Sequence, residues 1–157
     1  MVAIITGDII HSAKVNPKKW LVKLKSALHT IGKSPATWQI YRGDSFQLII
    51  KDPQDALSFA ILIKATLRSV HPLDVRMAIG IGEISHRAAK ITESNGTAFV
   101  HSGEKFESLK MEKQNLALQS PWPDFDDEIN ILLRLGLIAM DNWTVPSAEM
   151  VCDVLLI

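Results

Sequence analysis

Apolar and polar positions divide the first 120 residues into alternating short and long periods. Val2–Thr6 is a continuous apolar run that stops at Gly7, the pattern of a central strand covered on both faces. After a polar loop, Asn16-Pro17 opens a helix, with Asn as N-cap and Pro at the first helical position. Trp20, Leu21, Leu24, Leu28 and Ile31 then recur at helical spacing, and Gly32 closes the run. Lys18, Lys19, Lys23 and Lys25 lie mainly off that stripe and read as a solvated face.

Thr37–Tyr41 and Phe46–Lys51 flank the turn dipeptide Gly43-Asp44 and predict a β-hairpin. Asp52-Pro53 repeats the capping logic and starts a second helix that runs to about Ser69, with Leu57, Ala60, Ile61, Lys64, Ala65 and Leu67 on a mostly apolar face. His71-Pro72 breaks the chain, and Val75–Ile81 alternates into Gly82-Glu83 as a strand.

The order strand, helix, strand, strand, helix, strand predicts an α+β domain of two split βαβ units. With right-handed crossovers the sheet is antiparallel, both helices lie on one face, and the first strand sits between the third and fourth. Asp8 then shares one rim with Asp44 on the hairpin turn. Ile84–Asn95 reads as a loop with weak strand character, Thr97 to about Leu109 as a helix, and Asn115–Gln119 as one more strand. Pro121-Trp122-Pro123 marks a linker between a first unit, 1–120, and a helical segment, 124–157, made of Asp126–Met140 and Pro146–Ile157. The chain stops inside an apolar run without a cap, which suggests truncation there.

Composition narrows the classes. Lys+Arg and Asp+Glu balance at 17 each, so no broad electrostatic footprint for nucleic acid is expected. No apolar run reaches membrane-span length and the N-terminus carries no signal-peptide pattern, which points to a cytoplasmic protein. One cysteine, Cys152, excludes an intramolecular disulfide framework and reads as a packing residue.

The candidate chemistry lies in the two Gly-Asp pairs. Neighbouring carboxylates repel, and a hard divalent cation, Mg²⁺ or Mn²⁺, relieves that repulsion while recruiting phosphate oxygens. Gly7 and Gly43 would let the backbone approach a ligand closely. The amides of Ile9 and Ile10 could hold a phosphate, with Ser12 or Lys14 nearby. Phosphoryl transfer needs such a metal, a backbone cradle and a cation, and little covalent chemistry. The competing explanation is ordinary turn chemistry, since Asp after Gly is common at strand ends.

Gly7-Asp8-Ile9-Ile10-x-Ser12, Gly43-Asp44-Ser45-Phe46-Gln47 and Arg76-x-x-Ile79-Gly80-Ile81-Gly82-Glu83-Ile84 resemble three blocks of SatD-like proteins, and Gly96-Thr97-Ala98-Phe99-x-x-Ser102-Gly103 continues the series. That group resembles the palm domains of class III nucleotidyl cyclases and GGDEF cyclases. The resemblance spans residue 2 to about 110. It implies a ferredoxin-like (βαββαβ) palm, Asp8 and Asp44 as metal ligands, a nucleoside triphosphate as ligand, and a homodimer, because such cyclases build the site between two chains. Gly7, Ile9, Ile10, Ser12, Lys14, Arg42, Gly43, Ser45 and His101 become the expected nucleotide contacts, with Lys14, Arg42 or Lys105 neutralising phosphate charge. Cyclase palms place an Asn and a basic residue on the helix after the fourth strand. Here those positions hold His101 and Lys105, and the basic residue often found after the first-block Ser is Ala13.

Asn142-Trp143-Thr144-x-x-Ser147-Ala148-Glu149-x-Val151 resembles the opening of a C-terminal helix-turn-helix, so DNA enters as a partner only if a longer chain completes it. The same residues would equally serve to pack on the palm. Three functions remain open: a metal-dependent nucleotidyl transferase or cyclase with Asp8, Asp44 and Lys105 as catalytic residues, a nucleotide sensor in a transcription regulator, and a protein-interaction module with a vestigial site. The departures favour the sensor. Among other residues, Arg76 reads as a rim ion pair or a phosphate contact, Glu83 as a turn residue, Trp38 as core or a stacking platform, and the Asp126–Met140 stripe as core or a dimer seam.

Overall fold

The N-terminal apolar run does not stop at Thr6. It forms a nine-residue strand, β1 (Val2–Ile10), that carries Gly7 and Asp8 in its interior. The computed structural model describes residues 1–156. It continues with α1 (Pro17–His29), β2 (Trp38–Tyr41), β3 (Ser45–Ile50), α2 (Ala56–Arg68), β4 (Asp74–Gly82), α3 (Thr97–Glu112), β5 (Leu116–Gln119), α4 (Pro123–Met140) and α5 (Val145–Leu155). The caps act as their residue types dictate. Asn16 accepts from the Lys18 amide at 3.0 Å, and Asp52 accepts from the Gln54 amide at 3.0 Å to open a short 3₁₀ turn ahead of α2. Pro123 begins α4, so only three residues, Ser120, Pro121 and Trp122, join it to β5.

The five strands form one sheet in the order β2-β3-β1-β4-β5. β1 is antiparallel to β3 and to β4, between which it lies. β5 runs parallel to β4, so the sheet is mixed and the expectation of a purely antiparallel one is corrected. The cause is α3, which returns the chain along β4 as a crossover and must deliver the next strand parallel.

Alternation along β1 separates two faces. Ala3, Ile5 and Ile9 join Phe46, Leu48, Met77 and Ile79 in the main core, together with Trp20, Leu24 and Leu28 of α1 and Ala60, Ile63 and Leu67 of α2. Ile4 packs on the other side with Ile49 and Ala98, while Ala78 and Ala117 meet Leu109 of α3. α1 and α2 thus share one face of the sheet, and α3 covers the second. It sits close: a Cβ added at Gly80 would lie 2.2 Å from the Ser102 amide nitrogen and 2.3 Å from the Ala98 carbonyl oxygen.

The C-terminal helices are docked by polar contacts as well as by Leu133, Leu137 and Met140, which enter the main core. Asn130 of α4 acts as a substitute strand for the sheet edge. Its Oδ1 accepts from the Leu118 amide and its Nδ2 donates to the Leu118 carbonyl, both at 2.8 Å. Lys64, read from sequence as part of an apolar face, is fully buried. Its ammonium donates to Asp74 at 2.8 Å and to Asp141 at 2.7 Å. Arg68 adds a bond to Asp74 at 3.3 Å and another to the Trp143 carbonyl. Among the described residues, no helix is long and apolar enough to cross a membrane.

Removing Lys64 leaves Asp74 desolvated without its ammonium partner. Lys64→Ala should lower unfolding stability by about 3–5 kcal/mol in urea titration. A loss below about 1 kcal/mol would mean that the network does not hold the C-terminal helices.

Candidate cation-binding site

Pairing register builds the site. Tyr41 lies opposite Ser45, Ser45 opposite Asp8, and Asp8 opposite Arg76, so the four share one face in a row across β2, β3, β1 and β4. The row behind it is Gln39, Gln47, Thr6, Ala78 and Ala117. This face is polar over β2, β3 and the end of β1, and apolar where Ala78 and Ala117 meet Leu109 and, farther along β1, where Ile4 lies. Thr6 ties the second row together, since its Oγ1 accepts from Gln47 Nε2 at 3.3 Å and from the buried Ser102 Oγ of α3 at 2.7 Å.

The Asp44 loop closes over the end of the first row. Arg42 and Gly43 both take left-handed backbone, at φ 52° and 84°, and a Cβ at Gly43 would meet open space. Glycine is at ease there, whereas Arg42 is strained. The Ile9 amide donates to the Asp44 carbonyl at 2.9 Å. Ser12, in a 3₁₀ turn entered through left-handed His11 at φ 66°, donates from Oγ to Asp44 Oδ2 at 2.9 Å. The two Gly-Asp motifs and the first-block serine therefore converge.

Asp8 is the unusual member. Its Oδ1 is buried and has no hydrogen-bond partner, and the nearest cation, Arg76 Nε, stands 3.9 Å away. Burial holds the carboxyl above its ordinary value of 3.8; Arg76 and Lys110 oppose the rise, and the charge of Asp44 adds to it. Burial likewise pushes the Tyr41 phenol up, with Arg42 opposing and Asp8 adding. Among the described residues no group of three or more His, Cys, Asp or Glu side chains gathers. A cation at this row would rest on two carboxylates and on oxygens from its ligand and water.

Several expected contacts take different places. Gly7 is buried on the opposite face, and a Cβ there would meet Phe46 Cζ at 2.5 Å and the Arg76 carbonyl at 2.9 Å. It makes room for Phe46, not for a ligand. The Ile9 amide is occupied by Asp44, and β1 extends through Ile10, so the proposed amide cradle just past Asp8 is strand. Lys14 and Arg42 are exposed beside the loop. His101 Nδ1 is 2.6 Å from the Ile81 carbonyl, five strand residues or ~16 Å beyond Arg76. Lys105 reaches Glu112 at 3.9 Å. Lys110, whose charge bears on Asp8, lies about 140° around the helix from Lys105, over the Phe106 ring and 3.9 Å from Glu107.

Sequence reasoning missed Tyr41, Thr6 and Lys110. The first two follow from period-two alternation once Tyr41 is paired with Ser45, since Gln39, Tyr41, Ser45 and Gln47 interleave with Trp38, Ile40, Phe46 and Leu48. No local signal marks Lys110. Trp38 is core, with Nε1 bonded to the Gly32 carbonyl at 3.0 Å. Arg76 is an ion-pair partner, and Glu83 pairs with the N-terminal amine at 3.3 Å. A groove of about 660 Å³ between the end of α3 and α4 includes neither aspartate in its walls.

A carboxyl held above 3.8 contributes stability that is full below that value and is lost as the pH rises through its folded value. Asp8→Asn should therefore raise the thermal midpoint at pH 7 in metal-free buffer, and the gain should vanish as the pH falls below 3.8. A lower midpoint for Asp8→Asn at pH 7 would contradict the strain assigned to Asp8.

Neither a protein-family model nor a curated protein matches this sequence, so the reading of the site rests on its geometry.

Proposed function

We propose that the chain is a palm-like domain that binds a divalent cation, Mg²⁺ or Mn²⁺, with the phosphates of a nucleotide at Asp8 and Asp44. The observation that carries this reading is the buried, unpartnered Oδ1 of Asp8 beside a second carboxylate. An ionised oxygen without a partner is costly away from water, and a hard cation bound by one or two carboxylates and phosphate oxygens removes that cost. When bound, such a cation polarises phosphoryl oxygens and offsets their charge.

The chain's own residues supply the rest. Ser12 fixes the Asp44 carboxylate. Arg76 flanks Asp8 as a standing positive charge suited to phosphate oxygens. Tyr41 and Ser45 offer hydroxyls along the same row. The order of the first four strands, with α1 and α2 against one face, supports a ferredoxin-like palm and the resemblance to SatD-like and cyclase domains.

Binding without turnover is the favoured function, as in a ligand sensor of a regulator-like protein. The two α3 residues aligned with the cyclase stabilisers, His101 and Lys105, are held by Ile81 and Glu112, away from Asp8. Nucleotidyl transfer is the second reading, favoured by Arg76 beside Asp8.

Calorimetric titration of ATP, GTP, CTP and UTP with Mg²⁺ tests both. Wild type should bind at least one, and Asp44→Ala should weaken it about 100-fold, the equivalent of ~3 kcal/mol. Arg76→Ala should weaken it too, and Lys105→Ala should leave it unchanged. Pyrophosphate release by wild type would select the transferase. No binding of any nucleotide, or equal binding by Asp44→Ala, would sink the proposal.

A further inference from the structure

We infer that the outer face of α4 is a self-association surface, pairing two copies of this chain antiparallel about a twofold axis near Leu135. This does not depend on the cation site. From Ile129 to Met140 the only charged residue of α4 is Arg134. Leu133, Leu137 and Met140 are buried against the sheet. On the outside, Ile131, Leu132, Leu135 and Ile138 are 56%, 61%, 60% and 70% exposed. A helix apolar all round belongs in an interior, and this one has only half of an interior.

The outer residues have the form a twofold contact requires. Ile131, Leu135 and Ile138 follow i, i+4, i+7 spacing and make one seam. The seam reads the same from either end, isoleucine at each side of a leucine, so a copy laid antiparallel sets Ile131 against the partner's Ile138 and Leu135 against its equivalent. Isologous contacts need that self-complementarity.

Charge selects the second copy as occupant and fixes its direction. Asp124, Asp127 and Glu128 lie one and two turns before Ile131, exposed. Among the described residues they make no ion pair. At the other end of the seam is the groove of about 660 Å³, whose walls include Lys113, Ile138, Asp141 and Asn142. Lys113 is exposed and, among the described residues, equally without an ion pair, whereas Arg134, next to the axial Leu135, donates to Gln114 at 3.1 Å and the groove's acids are engaged, Asp141 by Lys64 and Glu112 by Lys105. Antiparallel pairing brings the free acids of one copy toward Lys113 of the other. Parallel pairing would set acid against acid.

One helix seam with its flanking groove lies at the small end of stable interfaces, so the dimer should form in the micromolar range. Sedimentation equilibrium on the full chain from about 1 to 200 μM tests this. Wild type should dimerise with concentration, and Leu135→Glu should remain monomeric with an unchanged circular-dichroism melt. If Leu135→Glu disturbs folding, Ile131→Lys replaces it. Lys113→Glu should weaken dimerisation at least tenfold, and adding Asp127→Lys in the same chain should restore it. Wild type monomeric over the whole range would overturn the inference and leave the face to a different protein. A dimer that survives both seam variants, or a charge swap that fails to restore association, would overturn it as well.

Discussion

One buried ammonium decides how the two halves of the chain meet. Lys64 stands on α2 with no exposed surface and is shared by Asp74, at the first residue of β4, and Asp141, at the C-terminal end of α4. Its two partners are 67 residues apart in sequence (141 − 74). Such a contact contributes little net stability over a well-packed apolar substitute, but losing one member strands the others in a low dielectric. That asymmetry makes it a fixed point. The sheet can start β4 in one place only, and the turn between α4 and α5 is tied to that same place through Arg68 and the Trp143 carbonyl.

The candidate site inherits its geometry from that fixed point through register. Arg76 is two residues past Asp74, and its pairing with Asp8 sets which β1 residues face α3. A slip of one residue would turn Asp8 into the main core and Gly7 out from beneath Phe46. Gly7 guards against the slip, because no larger residue fits under Phe46 and the Arg76 carbonyl. The Gly-Asp pair thus divides its labour across the two faces of one strand. Glycine serves the packing, and aspartate serves the polar row.

Much of this was legible in sequence. The periods of two and 3.6 predicted the five strands and five α-helices, though β1 runs four residues past its expected end and the 3₁₀ turns after β1 and β4 were read as loops; β5 was expected at Asn115–Gln119 and forms at Leu116–Gln119. Asp8, Asp44 and Ser12 were expected together and are together. What escaped depends on contacts between distant segments. Lys64 at helical spacing among alanines and leucines gives no sign of two carboxylates arriving from residues 74 and 141. His101 and Lys105 were placed by alignment on Gly96, which fixes the start of α3 but not the side each residue presents. The parallel direction of β5 follows from where α3 lands, and strand composition alone does not carry direction.

The two faces of the sheet explain why chemistry gathers at one rim. The face toward α1 and α2 is apolar from end to end, since Phe46, Leu48, Ile50, Met77 and Ile79 meet two helices there. The other face is covered by α3, which packs over β4, β1 and β5, and by the loop after β4, whose Ile91 and Thr92 reach Pro35 and Gln39. Neither reaches fully over the hairpin end of the row, and Tyr41, Asp44 and Ser45 stay half-buried. Polar residues there keep access to water, so the sheet tolerates them at low cost. Asp8 is the exception, deep enough to lose water at Oδ1 and too far from Arg76 for a hydrogen bond. Burial without a partner at the edge of an open face is a condition that an incoming cation relieves and that no side chain now beside Asp8 does.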